Sequence, residues 1–410
     1  MSHEIDKPET TDISESPPYE TLEPEQKRQR LKELAIGFFR LGTIAFGGPA
    51  AHIAMMNDEF VKRRKWFTEE KLLDLLGVTN LIPGPNSTEL AIHIGYERSG
   101  LWGLAIAGTC FILPAMGIVW VLAALYARYQ ELPELGWLLY GIKPIIIAVV
   151  LQALWKLGKS AAKDLPTIVA GIAVIVAFFL GGDEIVLLLL AGAAVMLIKN
   201  RGRGGSTTAS ALMLPIPSLL AQVGSGVGAY GSPNWIRVFL FFLKIGAVLY
   251  GSGYVLLAFL QRELVERTQW LTSQQLLDAI AVGQLTPGPV FTTATFVGYL
   301  LAGNAGAIAG TIGIFLPAFV LVAIINPWVP KLRQSTWASG FLDGVNAASL
   351  GLMAVVTWQL GQAAIVDWLT IGIAVIGAIA LFYYKVNSAW LVIAGGLLGL
   401  CGQLFNLNSP

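Results

Sequence analysis

Two Pro-Gly-Pro breaks, Pro83-Gly84-Pro85 and Pro287-Gly288-Pro289, interrupt apolar segments 204 residues apart in a chain of 410. Proline removes a backbone donor and disrupts a helix, and hydrocarbon offers nothing to replace the lost bond. At membrane depth such breaks persist where the freed backbone lines a cavity or a ligand. Matched breaks in two halves are the best sequence pointer to the binding site of a membrane carrier.

The surroundings are apolar enough for that argument to apply. Hydrophobic residues make up 55% of the chain and charged ones only 13%, against about 25% charged in soluble domains. Mean hydropathy is +0.65. Apolar runs cover 101–126, 137–155, 168–180 and 185–198, then 238–260, 305–325, 345–360 and 371–384. Several approach or exceed the roughly 20 residues a helix needs to cross a bilayer. The expected class is an all-α, polytopic integral membrane protein. A net charge of +1 gives no argument for a nucleic-acid partner. Cys110 and Cys401 sit in apolar stretches and form no motif. Residues 1–30 are polar and lack the apolar core of a cleavable leader.

The halves match well beyond the prolines. At an offset of 204, Arg40 meets Lys244, Gly42 meets Gly246, Glu59 meets Glu263, Trp66 meets Trp270 and Asp74 meets Asp278. At 203, Gly95-Tyr96 meets Gly298-Tyr299, Leu113-Pro114 meets Leu316-Pro317, Gly141 meets Gly344 and Asp164 meets Asp367. The expected organisation is a polar tail and surface helix at 1–33, a first unit at 34–200, a Gly/Ser/Pro-rich linker at 201–237 and a second unit at 238–405. First-unit loops carry Lys62 to Lys65, Lys71, Lys156, Lys159, Lys163 and Lys199, whereas the matching second-unit loops are poor in Lys and Arg. The remaining loops reverse the bias, with Lys331, Arg333 and Lys385 in the second unit. Cytoplasmic loops collect Lys and Arg, so the units are expected to be inverted repeats of about five transmembrane helices each. One feature departs from that count: basic residues flank both ends of 34–56. That segment is either re-entrant at Gly47-Gly48-Pro49, or preceded by a helix lying on the surface.

After each Pro-Gly-Pro a new helix is expected to start, and its free N–H groups and positive dipole end suit an anion. Pro83, Gly84, Pro85, Asn86, Ser87 and Thr88 form this centre in the first unit. Pro287, Gly288, Pro289, Thr292 and Thr293 form it in the second, with the hydroxyls as uncharged donors. A kinked helix packing through Gly and Pro is the competing reading. Arg40 and Lys244 are basic residues in apolar surroundings, either offsetting an anion's charge or snorkelling. Gly47, Gly48, Gly251 and Gly253 form a second matched break, or a small-residue packing surface. Glu59 and Glu263 are either proton-coupling carboxylates or members of salt bridges with Lys62, Arg63 or Arg267. Glu89 and His93 lie one helical turn apart and lack polar equivalents of their kind in the second unit. They form either a proton site or a hydrogen-bonded pair, and two groups are too few for a metal site.

These residues together resemble the chromate ion transporter family in its long, two-repeat form. The resemblance rests on Phe46-Gly-Gly-Pro49 with Glu59 and Trp66, on Asn80-Leu-Ile-Pro-Gly-Pro-Asn-Ser-Thr88, and on Tyr250-Gly-Ser-Gly-Tyr254 and Gln284-Leu-Thr-Pro-Gly-Pro289. It spans nearly everything after residue 34. It implies export of chromate from the cytoplasm, coupling to the proton motive force, chromate resistance, and functional sensitivity of Arg40 and the glycine and Pro-Gly-Pro segments. Tyr250, Ser252 and the long polar tail depart from the family's usual pattern. The expected setting is a multi-pass inner (plasma) membrane protein whose partners are chromate or a similar oxyanion, protons and lipid, with a homodimer as a compatible assembly. No cofactor and no enzymatic activity are expected, since no nucleophile–base motif, paired acids or metal cluster repeats at membrane depth. The alternatives are a transporter of sulfate or another small oxyanion, and an anion sensor that does not transport.

Overall fold

The computed structural model describes residues 19–46, 48–79, 82–201, 232–250, 255–326 and 335–404. These hold fourteen α-helices and no strand. Gly47, Gly251, Gly253, Lys331, Arg333, most of the expected linker and the tail before Tyr19 lie outside the described residues.

The first unit begins with two hairpins that turn back inside the protein. Helix α1 (Pro24–Ile44) opens on a capping box between Glu23 and Gln26 with proline in its first turn. The chain then reverses into α2 (Gly48–Met56), continued by π-helical turns over Asn57–Arg63. Phe60 returns to pack on Phe38 with their rings tilted and centroids 4.7 Å apart. His52 Nε2 reaches the Ala45 carbonyl at 3.0 Å. Both ends of this segment therefore lie on one face, as its basic flanks require, and the re-entrant reading is the one the structure adopts.

The second hairpin joins α3 (Glu69–Thr79) to the first limb of α4 (Asn86–Tyr129), with Pro83-Gly84-Pro85 at its tip. A Lys71–Glu97 ion pair of 3.0 Å ties its open end. Ser99 and Gly100 leave helical geometry, Gly100 at φ +60, and split α4 into limbs 86–98 and 101–129. The limbs fold back on each other. Gly95 and Gly103 meet backbone to backbone, where a side chain on either would collide.

Helices α5 (Pro133–Ala161), α6 (Leu165–Phe179) and α7 (Glu184–Asn200) complete the unit. The second unit repeats the plan. It runs through α8 (Trp235–Val248), α9 (Leu256–Leu260) with π-helical turns at Gln261–Arg267, and α10 (Ser273–Leu285). A 3-10 turn at Val290–Thr292 then leads into α11 (Thr293–Ile325), followed by α12 (Thr336–Ala364), α13 (Trp368–Phe382) and α14 (Ser388–Leu404). Helix α11 breaks at Ala302-Gly303 as α4 does at Ser99-Gly100. Helices α4, α5, α12 and the stretch Val290–Ile325 are each long and apolar enough to cross a membrane.

The equivalent helices α5 and α12 run antiparallel. Tyr140, near the start of α5, donates to Asp367 just beyond the end of α12. Lys163, just beyond the end of α5, pairs at 2.7 Å with Asp343 near the start of α12. A two-fold axis along the membrane normal would make these helices parallel, so the axis lies in the membrane plane and the repeats are inverted. Each unit hands its last two helices to the other: α6 and α7 pack on α12, while α13 and α14 pack on α5. Gly141 meets the backbone of Gly395 and Gly399, and Gly344 that of Ala191. Among the described residues each unit has two helices long and apolar enough to cross a membrane, α4 and α5 in the first and α11 and α12 in the second, accompanied by the shorter α6, α7, α13 and α14 and by two hairpins. Following the chain within each unit, with the Lys163–Asp343 and Arg262–Glu184 pairs relating the two, places Lys62 to Lys65, Lys71, Lys159, Lys163, Lys199 and Lys385 on one face. The other face holds Arg128, Arg237, Arg262 and Arg267.

Candidate anion-binding centre

Each Pro-Gly-Pro tip is inserted into the opposite unit. Gly84 N–H donates to the Leu249 carbonyl at 2.7 Å, and Gly288 N–H donates to the Ala45 carbonyl at 2.9 Å. Leu249 and Ala45 are equivalent residues, each where the first helix of its unit ends. Neither proline of the motif has an N–H, so the glycine is its one backbone donor. Both glycines have positive φ, +144 at Gly84 and +91 at Gly288, a region costly for other residues. Gly84 faces Ala318 and Gly288 faces Ala115, which follow the matched Pro317 and Pro114. Each tip thus fills the notch between the first-helix break and the proline-containing turn of the other unit's long helix.

The helix starts lie at these tips and run towards opposite faces. Pro85 and Pro289 provide no side-chain cap. Thr88 and Glu89 amides donate to the Pro85 carbonyl at 2.8 and 3.0 Å. Ser87, Thr88 and Glu89 are buried. The Glu89 carboxyl lies against Gly84, and neither of its oxygens has a hydrogen-bond partner among the described residues. Tyr250, from the second unit's break, is its electrostatic neighbour. The Thr88 hydroxyl is likewise unpartnered. The second-unit hydroxyls differ: Thr292 donates to the Pro289 carbonyl and Thr293 to the Val290 carbonyl, both at 2.8 Å. They present lone pairs unless they rotate.

His93 does not pair with Glu89. Its Nδ1 lies 3.1 Å from Asn326 Oδ1, and its Nε2 is buried without a partner among the described residues. Glu59 and Glu263 lie away from the tips, at the hairpin mouths. Glu59 is held by Arg64 at 2.6 Å and Arg63 at 3.1 Å. Glu263 is held by Arg267 at 3.1 Å, with Lys244 at 3.9 Å. Arg40 is exposed on α1, unlike its half-buried equivalent Lys244. Gly48 opens α2 at φ +76. No group of three or more His, Cys, Asp or Glu able to hold a metal occurs among the described residues.

Sequence reasoning missed Asn326, the Ala115 and Ala318 contacts, and an ionic cluster between units. In that cluster Asp278 accepts from Tyr126 at 2.8 Å and meets Lys143 at 3.0 Å. A lysine inside the apolar run 137–155 was the available signal for the last.

The chromate transporter family profile matches residues 32–197 and 236–400, one stretch in each unit. The chromate transport protein of Cupriavidus metallidurans is 31% identical over 380 residues, covering 90% of this chain and 92% of that protein. That of Pseudomonas aeruginosa is 31% identical over 380 residues, covering 90% and 91%. A probable chromate transport protein of Synechococcus elongatus is 31% identical over 361 residues, covering 85% and 89%. No solved structure matches the chain.

Proposed function

Because the chain belongs to the chromate transporter family, we propose that it is a secondary carrier that exports chromate from the cytoplasm across the inner membrane, drawing on the proton motive force and conferring chromate resistance. The observation that carries this reading is the exchange of Pro-Gly-Pro tips. It gathers two uncapped helix starts and the unpartnered Glu89 carboxyl at the seam between inverted units. The positive ends of the two helices and their backbone N–H groups receive the oxyanion's oxygens. Ser87 and Thr88 add hydroxyl donors, and Arg40 meets the anion on its way to the tips.

A dianion and an ionised Glu89 repel each other at this depth. Anion binding and Glu89 ionisation are therefore linked, which puts the proton-sensitive step at Glu89, with His93 behind it, rather than at the ion-paired Glu59 and Glu263. The face rich in Lys and Arg is the cytoplasmic one. Moving a dianion outward, down an inside-negative potential, releases about 4.6 kcal/mol per 100 mV, so the electrical component of the proton motive force is sufficient to drive export.

Proteoliposome flux of labelled chromate under imposed potentials and pH gradients tests this. The expected result is flux that follows the potential, with its pH dependence flattened by Glu89→Gln. Normal flux in an Arg40→Ala, Pro85→Ala double variant would sink the site assignment. Strong inhibition by equimolar sulfate would reassign the substrate to that near-isosteric dianion.

A further inference from the structure

Two inverted units with one plan would make equal contacts if their sequences were equal, and here they do not. The second unit's hairpins are clamped onto the surrounding helices: α10 packs against α5, α12 and α14, and α9 against α12. Charges lock this mouth. Asp278 meets Lys143 and Tyr126, Lys143 donates to Gln274, and Gln274 donates to the Ala363 carbonyl at 2.9 Å. Arg262 pairs at 3.0 Å with the buried Glu184, donates to the Gly181 carbonyl and lies over the Phe178 ring. In the first unit α3 packs on α4 and on its own π-helical turns, and makes no comparable contact with the helices α5–α7 or α12–α14 among the described residues. Leu73 is 58% exposed where its equivalent Leu277 is 0% exposed. Asp58, in the place of Arg262, is exposed and among the described residues pairs only locally with Lys62.

We propose that the structure holds the carrier latched at the second unit's mouth and unlatched at the first's, with Lys143–Asp278–Tyr126 and Arg262–Glu184 as the gate of the latched mouth. The inference rests on the transport reading, but not on chromate as the substrate. The pseudo-symmetry defines the exchanged state: Asp74 moves towards Asn346, the equivalent of Lys143, and Asp58 moves towards Asn387, the equivalent of Glu184. Neither substitute pair joins opposite charges, so the first mouth lacks the lock of the second. The unlatched mouth is the one on the Lys/Arg-rich face, where an intracellular anion would arrive, and exposed Arg40 is on the hairpin beside it.

The test is thiol labelling of the full chain in vesicles, with Cys110 and Cys401 replaced by serine. Leu73→Cys is expected to react with a membrane-impermeant reagent, and Leu277→Cys to be protected. Adding Asp278→Asn or Lys143→Met is expected to raise Leu277→Cys labelling by about tenfold or more, since each strands a buried charge, while lowering that of Leu73→Cys. The charge swap Lys143→Asp with Asp278→Lys is expected to restore protection, which a merely misfolded variant would not. Unchanged Leu277→Cys labelling in the single gate variants, a rise at both positions together, or reaction of Leu73→Cys with lipid-soluble reagents alone would overturn the proposal. The readout contains no chromate, so it stands or falls apart from the substrate assignment.

Discussion

Gly288→Ala tests whether the tips are truly seated in the opposite unit. Two costs follow from the geometry. The positive φ of +91 disfavours any L side chain by about 1–2 kcal/mol. The new methyl would lie 2.6 Å from the Ala115 Cβ, whereas carbon atoms rest at about 3.5–4.0 Å. The tip or α4 must then move by about an ångström, an overpacking cost of about 1–3 kcal/mol. The sum is about 2–5 kcal/mol. Only the second cost belongs to the contact between units, so Ala115→Gly relieves that part and leaves the backbone part. A double-mutant cycle on denaturant unfolding in mixed micelles is therefore expected to give a coupling of about 1–3 kcal/mol. Gly84→Ala is the internal control. Its methyl meets Ala318 at a tolerable 3.4 Å and the Glu89 carboxyl, a movable group, at 2.5 Å. It should cost mainly the backbone part and show little coupling to Ala318→Gly. A Gly288–Ala115 coupling under about 0.5 kcal/mol refutes the seating of that tip.

Three further outcomes are expected. Arg262→Ala leaves the buried Glu184 carboxylate without its counter-charge and should lower unfolding stability by about 3–5 kcal/mol; a loss within error in the same micelle assay contradicts the pairing. The Lys199 hydrogen bond, opposed by slight burial and helped by the Thr167 amide, holds the Asp164 carboxyl below its usual range. A lowered value means stability is full at neutral pH and declines as pH falls below about 4, so Lys199→Met should flatten the acid limb of a melting-temperature profile. Gly141→Leu drives a side chain into the Gly395 and Gly399 backbone and should abolish monodisperse protein on size exclusion, whereas Gly372→Leu, with open space at its Cβ, should not.

The apolar runs and the 204- and 203-residue offsets were enough to expect a helical, duplicated membrane protein, and the loop charges were enough to expect inversion. The antiparallel α5 and α12 give the same answer by contact. The hairpins were half legible: basic flanks at both ends of 34–56 pointed to a segment that returns. Ser99-Gly100 and Ala302-Gly303 escaped notice because the apolar runs around them look like ordinary crossings. A readable signal existed in Gly95 and Gly103, and in Gly298 and Gly306, which stand symmetrically about those turns. The exchange of tips was not legible. Spacing tells which glycine can donate, but the acceptor of Gly84 lies 165 residues away at Leu249, in the other unit.

The two units agree where the centre is built and differ where preference between faces would be set. Pro-Gly-Pro tips, Leu-Pro-Ala segments and the glycine contacts recur in both. Glu89 against Thr293, Lys143 against Asn346 and Arg262 against Asp58 do not. If an inverted pair were made of identical halves, its two end states would be related by the two-fold axis and equal in free energy. Any preference for one open face must then come from residues that break the match, and about 1.4 kcal/mol from them shifts the populations tenfold. Gradients still fix the direction of net flux, because a difference between end states cancels around a complete cycle. What the mismatched residues can set is which face waits open and how tightly each face holds the anion. Reciprocal exchanges follow from this: placing Lys at Asn346 and Asn at Lys143 should move the resting opening to the other mouth without altering the tips.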